Sequence, residues 1–337
     1  EQGGMAETPT MPWYMEHQTL PSMPSFTSDW INSHELAHQW WGDTLTCATW
    51  GDIWLNEGFA SFSEAIWEEF KPGGGPTAYR NWMLGRWPDS TDAQVYVINV
   101  NDDGAIFDSI VYDKGAWVVH MLRHILGDTT FFQALANYRA AYEGGSATTT
   151  DFINSVSATA GFDLTFFTDQ WVMNPGSPDY NYGWQGVQVS GQNYVRLRVT
   201  QTQNTRGFPN MTMPVDIRVT TGSGPVTYVV WCANSVETFA IPVNGVPSQV
   251  QLDPLNWILT HSVTAAAPGT FTTHCQGDLN EDGQVDGHDI QLFLNALLDP
   301  GLWPLAWRRA DMNFDGRCNN ADVPLLVQSL LSGCTVP

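Results

Sequence analysis

"SHELAHQWWGD", residues 33–43, decides how the rest of the chain is read. Two histidines stand four positions apart, and a glutamate directly follows the first. On a helix of about 3.6 residues per turn, His34 and His38 lie about 40° apart on one face, so both imidazoles can meet one metal ion. Glu35 sits beside that face, poorly placed as a ligand but within reach of a metal-bound water, where a general base belongs. A zinc site built for hydrolysis needs one more protein ligand and one open position. Glu57 is the candidate. It follows His38 by 19 positions, within "DIWLNEGFASFSEAIWEEF" (52–70), whose apolar residues recur at helical spacing. Glu64 lies two turns further along the same face, placed to accept a hydrogen bond from a ligand histidine. His120 and His124 are also four apart, but no glutamate follows the first and no acidic helix follows the pair. They are expected to be structural.

Composition narrows the classes of function. The 337 residues suggest two or three domains, and 43% apolar content with 16 tryptophans supplies ample core. A net charge of −22 with only two lysines, Lys71 and Lys114, should repel nucleic acid and anionic membranes. No apolar stretch is long enough to span a bilayer. Five cysteines cannot all pair within the chain. Cys275 and Cys334 bracket the tail and could clamp it in an oxidising compartment, whereas Cys47, Cys232 and Cys318 sit among apolar neighbours as buried thiols do.

Along the chain, residues 1–176 read as mostly helical. The 52–70 helix stops at Lys71-Pro72-Gly73-Gly74-Gly75, "YDKGAWVVHMLRHILG" (112–127) ends at Gly127, and "TDFINSVSATAG" (150–161) opens on Thr150 as its cap. After Pro178 the period changes to two. "YVRLRVTQ" (194–201) alternates Val195, Leu197 and Val199 with Arg196, Arg198 and Thr200, and "VDIRVT", "TYVVW" and "SQVQLD" follow, so a β-sandwich is expected over 177–261. Residues 262–274, small and polar, read as a linker to a tail at 275–337.

Three stretches in order, "HELAHQWWGD", "WGDIWLNEGFASF" and "VYDKGAWVVHMLR", resemble the zinc aminopeptidases of the aminopeptidase N family, the gluzincins. The resemblance covers roughly residues 5–262. It implies a mainly α, thermolysin-like catalytic domain followed by the family's small β-domain, one zinc and a peptide substrate. Carried over residue by residue, His34, His38 and Glu57 would bind zinc and Glu35 would activate water. Tyr112 would donate a hydrogen bond to the oxyanion, and Glu16, in "YMEHQ", would hold the substrate's α-amine. Where the family has Gly-Gly or Gly-Ala before the Met-Glu pair, this chain has Trp13-Tyr14, which should narrow or reshape the first pocket. Only about a dozen residues precede "YMEHQ", so the family's large N-terminal β-domain is expected to be missing. Two other readings stay open: a weak or inactive peptidase-like anchoring protein, and a zinc endopeptidase.

The tail repeats itself. "GDLNEDGQVDGHDIQLFLNALL" from Gly277 and "ADMNFDGRCNNADVPLLVQSLL" from Ala310 align at an offset of 33. Each reads Asp-x-Asn-x-Asp-Gly with a further Asp at loop position 12, which supplies the alternating oxygens and sharp turn that calcium demands. The candidate ligands are Asp278, Asn280, Asp282 and Asp289 with the Gln284 carbonyl, then Asp311, Asn313, Asp315 and Asp322 with the Arg317 carbonyl. The unit resembles a type I dockerin, a small α, EF-hand-like domain. That resemblance implies two calcium ions, a cohesin partner and an extracellular or cell-surface setting. The positions that read the partner are Gly287-His288 and Asn320-Ala321, where Ser-Thr is common in the family.

Overall fold

The computed structural model describes residues 28–203, 207–267, 269, 271, 275–299 and 307–332. The chain divides into two compact units at Gly176/Ser177.

The first unit is mainly helical. In order it contains α1 (Asp29–His38), β1 (Leu45–Cys47), a 3-10 turn (Trp50–Asp52), α2 (Trp54–Phe70), α3 (Pro76–Gly85), α4 (Asp103–Ile106) and α5 (Ser109–Leu126). Then come α6 (Asp128–Tyr142), β2 (Gly145–Ala147), α7 (Thr149–Ala160) and α8 (Thr165–Trp171). The two short strands pair in parallel. α2 is the axis of the unit: Trp54, Leu55, Phe59, Ala60, Phe62 and Ala65 are all buried. It stops where Lys71 turns extended before Pro72, because the residue before a proline is barred from the helical region. α3 restarts with Pro76 in its first turn, where a missing N–H costs nothing.

α2 and α5 approach so closely that only glycine fits between them. A Cβ on Gly58 would lie 2.8 Å from the carbonyl carbon of Gly115, and one on Gly115 would lie 3.0 Å from the Gly58 Cα. Lys114, the next residue on α5, is fully buried and donates to the carbonyls of Thr91 (2.8 Å), Ala93 (2.7 Å) and Gly176 (3.1 Å). Three carbonyls match the three N–H bonds of an ammonium, although burial pushes the Lys114 pKa down to about 7. His120 is buried too. Its Nδ1 meets the Tyr79 hydroxyl at 2.6 Å, and its ring lies edge-on to Trp117.

One boundary differs from the sequence expectation. α7 is capped by Thr148, not Thr150: Thr148 and Asp151 exchange hydrogen bonds in a reciprocal capping box. The helix closes at Gly161 in the left-handed region, as expected of a terminal glycine.

The second unit opens with seven strands: β3 (Asp179–Val189), β4 (Gln192–Gln201), β5 (Met213–Thr221), β6 (Gly224–Cys232), β7 (Val236–Val243), β8 (Gln249–Leu252) and β9 (Ser262–Ala265). They form a four-stranded sheet, β7-β4-β3-β9, and a three-stranded sheet, β6-β5-β8. Val195, Leu197 and Val199 face inward on β4, and Val215, Ile217 and Val219 do so on β5. Residues 262–265, expected to begin the linker, are instead a strand running parallel to β3. The open edge of β3 supplies backbone partners regardless of side chain, and the Ser262 hydroxyl donates to Asp179 at 2.6 Å.

The tail continues the same unit with α9 (Gly287–Leu298), α10 (Trp307–Ala310) and α11 (Val323–Ser332). It packs on the sandwich through β6. The Val229 N–H donates to the Phe314 carbonyl at 2.8 Å, and the Trp231 indole donates to the Gly316 carbonyl at 2.8 Å. Cys275 is disulfide-bonded, and its expected partner Cys334 lies outside the described residues. Cys232 and Cys318 are buried thiols as expected, whereas Cys47 is half-exposed, on a strand at the surface of the first unit. Among the described residues no helix is long and apolar enough to cross a membrane.

Candidate metal centre

α1 presents His34 and His38 on one face, and α2 brings Glu57 against them. One donor atom from each of the three lies within 4.8 Å of the others, the one such grouping of His, Cys, Asp and Glu side chains among the described residues. His34 Nε2 is 3.3 Å from Glu57 Oε2, and His38 Nε2 is 3.5 Å from the same oxygen. The other nitrogen of each ring is held from behind. His34 Nδ1 meets Glu64 Oε1 at 2.8 Å, and His38 Nδ1 meets the Trp41 carbonyl at 3.0 Å. A carboxylate and a carbonyl only accept, so both Nδ1 atoms donate to them, and both Nε2 atoms are turned toward Glu57. Two imidazoles and a carboxylate, with the far sides of both rings anchored, are a donor set that fits zinc.

The electrostatics point the same way. Burial alone would raise the Glu57 pKa, but the hydrogen bonds and charge of the two histidines outweigh it and hold it at about 2. Burial would lower His34, yet its bonds to Glu57 and Glu64 leave it raised. The two shifts share the His34–Glu57 contact as a cause, with His38 adding to the first and Glu64 to the second. Glu35 is 9% exposed beside this cluster, and burial raises its pKa against the opposing pull of His38 and His34. The Tyr112 ring, in the first turn of α5, stacks near His34 with centroids 6.1 Å apart. Glu16, Trp13 and Tyr14 lie outside the described residues.

The two acidic loops of the tail are built alike. Asp278 accepts the N–H groups of Asp282 (3.1 Å) and Gly283 (2.9 Å), and Asp311 accepts those of Asp315 (3.1 Å) and Gly316 (2.8 Å). Asp289 and Asp322 close their loops on the N–H groups of Leu279 and Met312, both at 2.8 Å. Asn280 and Asn313 donate to Asp282 and Asp315. The Gln284 and Arg317 N–H groups bond to the same two aspartates. Asp278, Asp289, Asp311 and Asp322 are all buried. Burial pushes Asp311 up to about 8. A cation would relieve the burial of these carboxylates, and oxygen-rich loops suit calcium. Gly287, His288, Asn320 and Ala321 are exposed.

The helical unit therefore gathers His34, His38 and Glu57 into a grouping that could hold a metal ion. The Peptidase family M1 domain matches residues 27–171, and the Dockerin type I domain matches residues 276–331, so the chain carries both domains. Aminopeptidase N of Lactococcus lactis subsp. lactis is 35% identical over 165 residues, 44% of this chain and 19% of that protein. Leucyl aminopeptidase of Saccharolobus solfataricus is 28% identical over 202 residues, 57% of this chain and 25% of that protein. The chain thus spans about a fifth to a quarter of the length of these curated relatives. The crystal structure of Legionella pneumophila aminopeptidase A in complex with aspartic acid superposes with a TM-score of 0.55 at 19% identity, over 69% of this chain and 26% of that one. At that identity it shows a shared fold.

Sequence reasoning missed several residues that hold the site. Arg86 and Trp82, at the end of α3, both donate to Glu64. Asp113 takes the other arm of Arg86 at 2.8 Å. One signal was available: with 13 Lys and Arg against 35 Asp and Glu, every buried acid competes for few cations, so an arginine near Trp82 and Trp87 is expected to pair with an acid.

Proposed function

We propose that the chain is a zinc aminopeptidase that releases N-terminal residues from peptides, tethered outside the cell through a calcium-dependent dockerin. The supporting observation is that both histidine Nε2 atoms and the Glu57 carboxylate face one point while Glu64 and the Trp41 carbonyl fix the ring tautomers. The proposed domains are a thermolysin-like peptidase domain (1–176), a β-sandwich beginning at 177 and extended through β9, and an EF-hand-like dockerin (275–337). One zinc and two calcium ions are assigned, and the tail's partner is a cohesin.

When bound at His34, His38 and Glu57, zinc supplies Lewis acidity toward the scissile carbonyl and lowers the pKa of water. Glu35 takes the proton of the attacking water and returns it to the departing amine. The Tyr112 phenol donates to the oxygen on which negative charge develops. The Glu16 carboxylate pairs with the substrate's ammonium, which selects chain ends over interior bonds.

The test combines metal analysis with a panel of single-residue fluorogenic amides. The wild type should hold one zinc and release product, and Glu35→Gln should keep the zinc and lose turnover. Full turnover in Glu35→Gln would overturn the mechanism. A zinc-loaded wild type inert toward every amide would favour an anchoring protein. Cleavage of peptides with blocked N-termini would instead mark an endopeptidase.

A further inference from the structure

We infer that Arg86 is a positioning residue for the metal centre, holding His34 through Glu64 and the Tyr112 segment of α5 through Asp113 with a single guanidinium. Glu64 has no exposed surface, and its two oxygens divide their work. Oε1 takes the His34 Nδ1–H at 2.8 Å. Oε2 takes Arg86 Nε at 2.7 Å, Arg86 Nη2, and Trp82 Nε1 at 3.1 Å. The remaining arm, Nη1, reaches Asp113 Oδ1 at 2.8 Å, next in sequence to Tyr112. The guanidinium also lies over the ring of Trp30, 5.9 Å from its centroid, one helical turn before His34 on α1.

A buried carboxylate without a charge partner gives up its ionisation or exacts a large desolvation cost. Without Arg86, Glu64 Oε2 would keep the Trp82 indole as its donor and lose the two guanidinium bonds that fix the plane of the carboxylate against His34. Its grip on the His34 tautomer would weaken, and with it the aim of Nε2. Arg86 is itself held in place. Its N–H bonds to the carbonyls of Trp82 and Met83 (both 3.1 Å), and its carbonyl accepts the indole N–H of the fully buried Trp117 at 3.1 Å. Lysine cannot substitute, because a point charge cannot serve Glu64 and Asp113 along two fixed directions.

The activity arm of the test rests on the zinc-peptidase reading; the metal arm does not. Zinc dissociation constants, measured by chelator competition, are compared for wild type, Arg86→Ala, Arg86→Lys, Glu64→Gln and the Arg86→Ala/Glu64→Gln double variant. Circular dichroism verifies the fold of each. Removing a group that orients a metal ligand typically weakens metal binding ~10–100-fold. Arg86→Ala should therefore weaken zinc by about tenfold, with little recovery in Arg86→Lys. Arg86→Ala should add nothing once Glu64 is Gln, a coupling that a merely structural ion pair would not produce. Asp113→Asn should keep zinc affinity while lowering kcat at unchanged KM. A folded Arg86→Ala chain with wild-type zinc affinity overturns the inference, and so does full additivity in the double variant. If Arg86→Ala fails to fold, unchanged zinc affinity in Arg86→Lys overturns it equally. A wild type that binds zinc but releases no product overturns the proposed activity and leaves this inference standing.

Discussion

At the scale of single residues, groups only a few ångströms apart are proposed to carry separate duties. Tyr112 stacks near His34 without joining the three-donor cluster, so it should matter to the reaction and not to the metal. Tyr112→Phe is expected to lower kcat by roughly 10²–10³, the typical cost of one oxyanion donor, with zinc content unchanged. Steady-state kinetics beside metal analysis checks this, and loss of zinc would reassign the tyrosine. Elsewhere, Asp253 accepts the N–H groups of Trp257 (2.8 Å) and Ile258 (2.9 Å), yet burial, with Asp216 adding to it, raises its pKa from 3.8 to about 7. Between those values the folded chain keeps a proton that the unfolded chain has released. The contribution of Asp253 is therefore present at low pH and lost as pH rises through about 7, on the order of a kcal/mol per pH unit. Urea midpoints taken at saturating calcium should show this slope, and Asp253→Asn should reduce it to the part left by Asp216. The convergence of His34, His38, Glu57 and Glu64 was legible because helical geometry converts spacing into a shared face. Arg86 and Asp113 were not, because their partners are set by tertiary packing that no local period encodes.

At the scale of elements, two sequence motifs meet through their glycines. Gly58 follows the Glu57 carboxylate, Gly115 lies three residues after Tyr112, and their backbones touch where α2 crosses α5. The motifs thus carry glycine for packing as much as for chemistry. Gly58→Ala forces a Cβ to 2.8 Å from the backbone of α5, where no flexible side chain can yield. Overpacking of this kind typically costs about 1–3 kcal/mol, so a lower melting temperature is expected. Zinc binding should weaken as well, because Glu57 moves with Gly58. Calorimetry and chelator competition on one sample test both, and an unchanged melting temperature would show that the helices can part freely. The helices and strands were legible from apolar periods of 3.6 and 2. The cap of α7 was not: three threonines in a row, 148–150, offer equal hydroxyls, and the choice falls to the one that Asp151 answers. β9 escaped notice because a four-residue, fully exposed strand has no apolar face, and only the open edge of β3 makes it a strand.

At the scale of the molecule, the tail departs from a simple tether. Its repeat and its acidity were legible, and −22 net charge is a balance that bound calcium would partly neutralise. Its attachment to the sandwich was not, because Val229, Trp231 and Phe314 read as ordinary strand and loop residues. The second acidic loop hands two backbone carbonyls to β6, and a Cβ on Gly316 would sit 2.9 Å from the Val229 side chain. The first loop makes no equivalent bond to β6 among the described residues; Glu281 is tied instead to Arg308. A cation that orders the second loop should therefore also stabilise the strand beneath it, and ligand at about a thousandfold over its Kd contributes about 4 kcal/mol to whatever folds with the site. Hydrogen exchange of the peptide spanning 224–232, with and without calcium, reads this directly. Calcium should raise protection of the Val229 amide by at least tenfold. Asp311→Ala should abolish that gain, and Asp278→Ala should preserve it. Equal protection in calcium and chelator, or equal loss in both variants, would mean that β6 holds the second loop in place regardless of its ion.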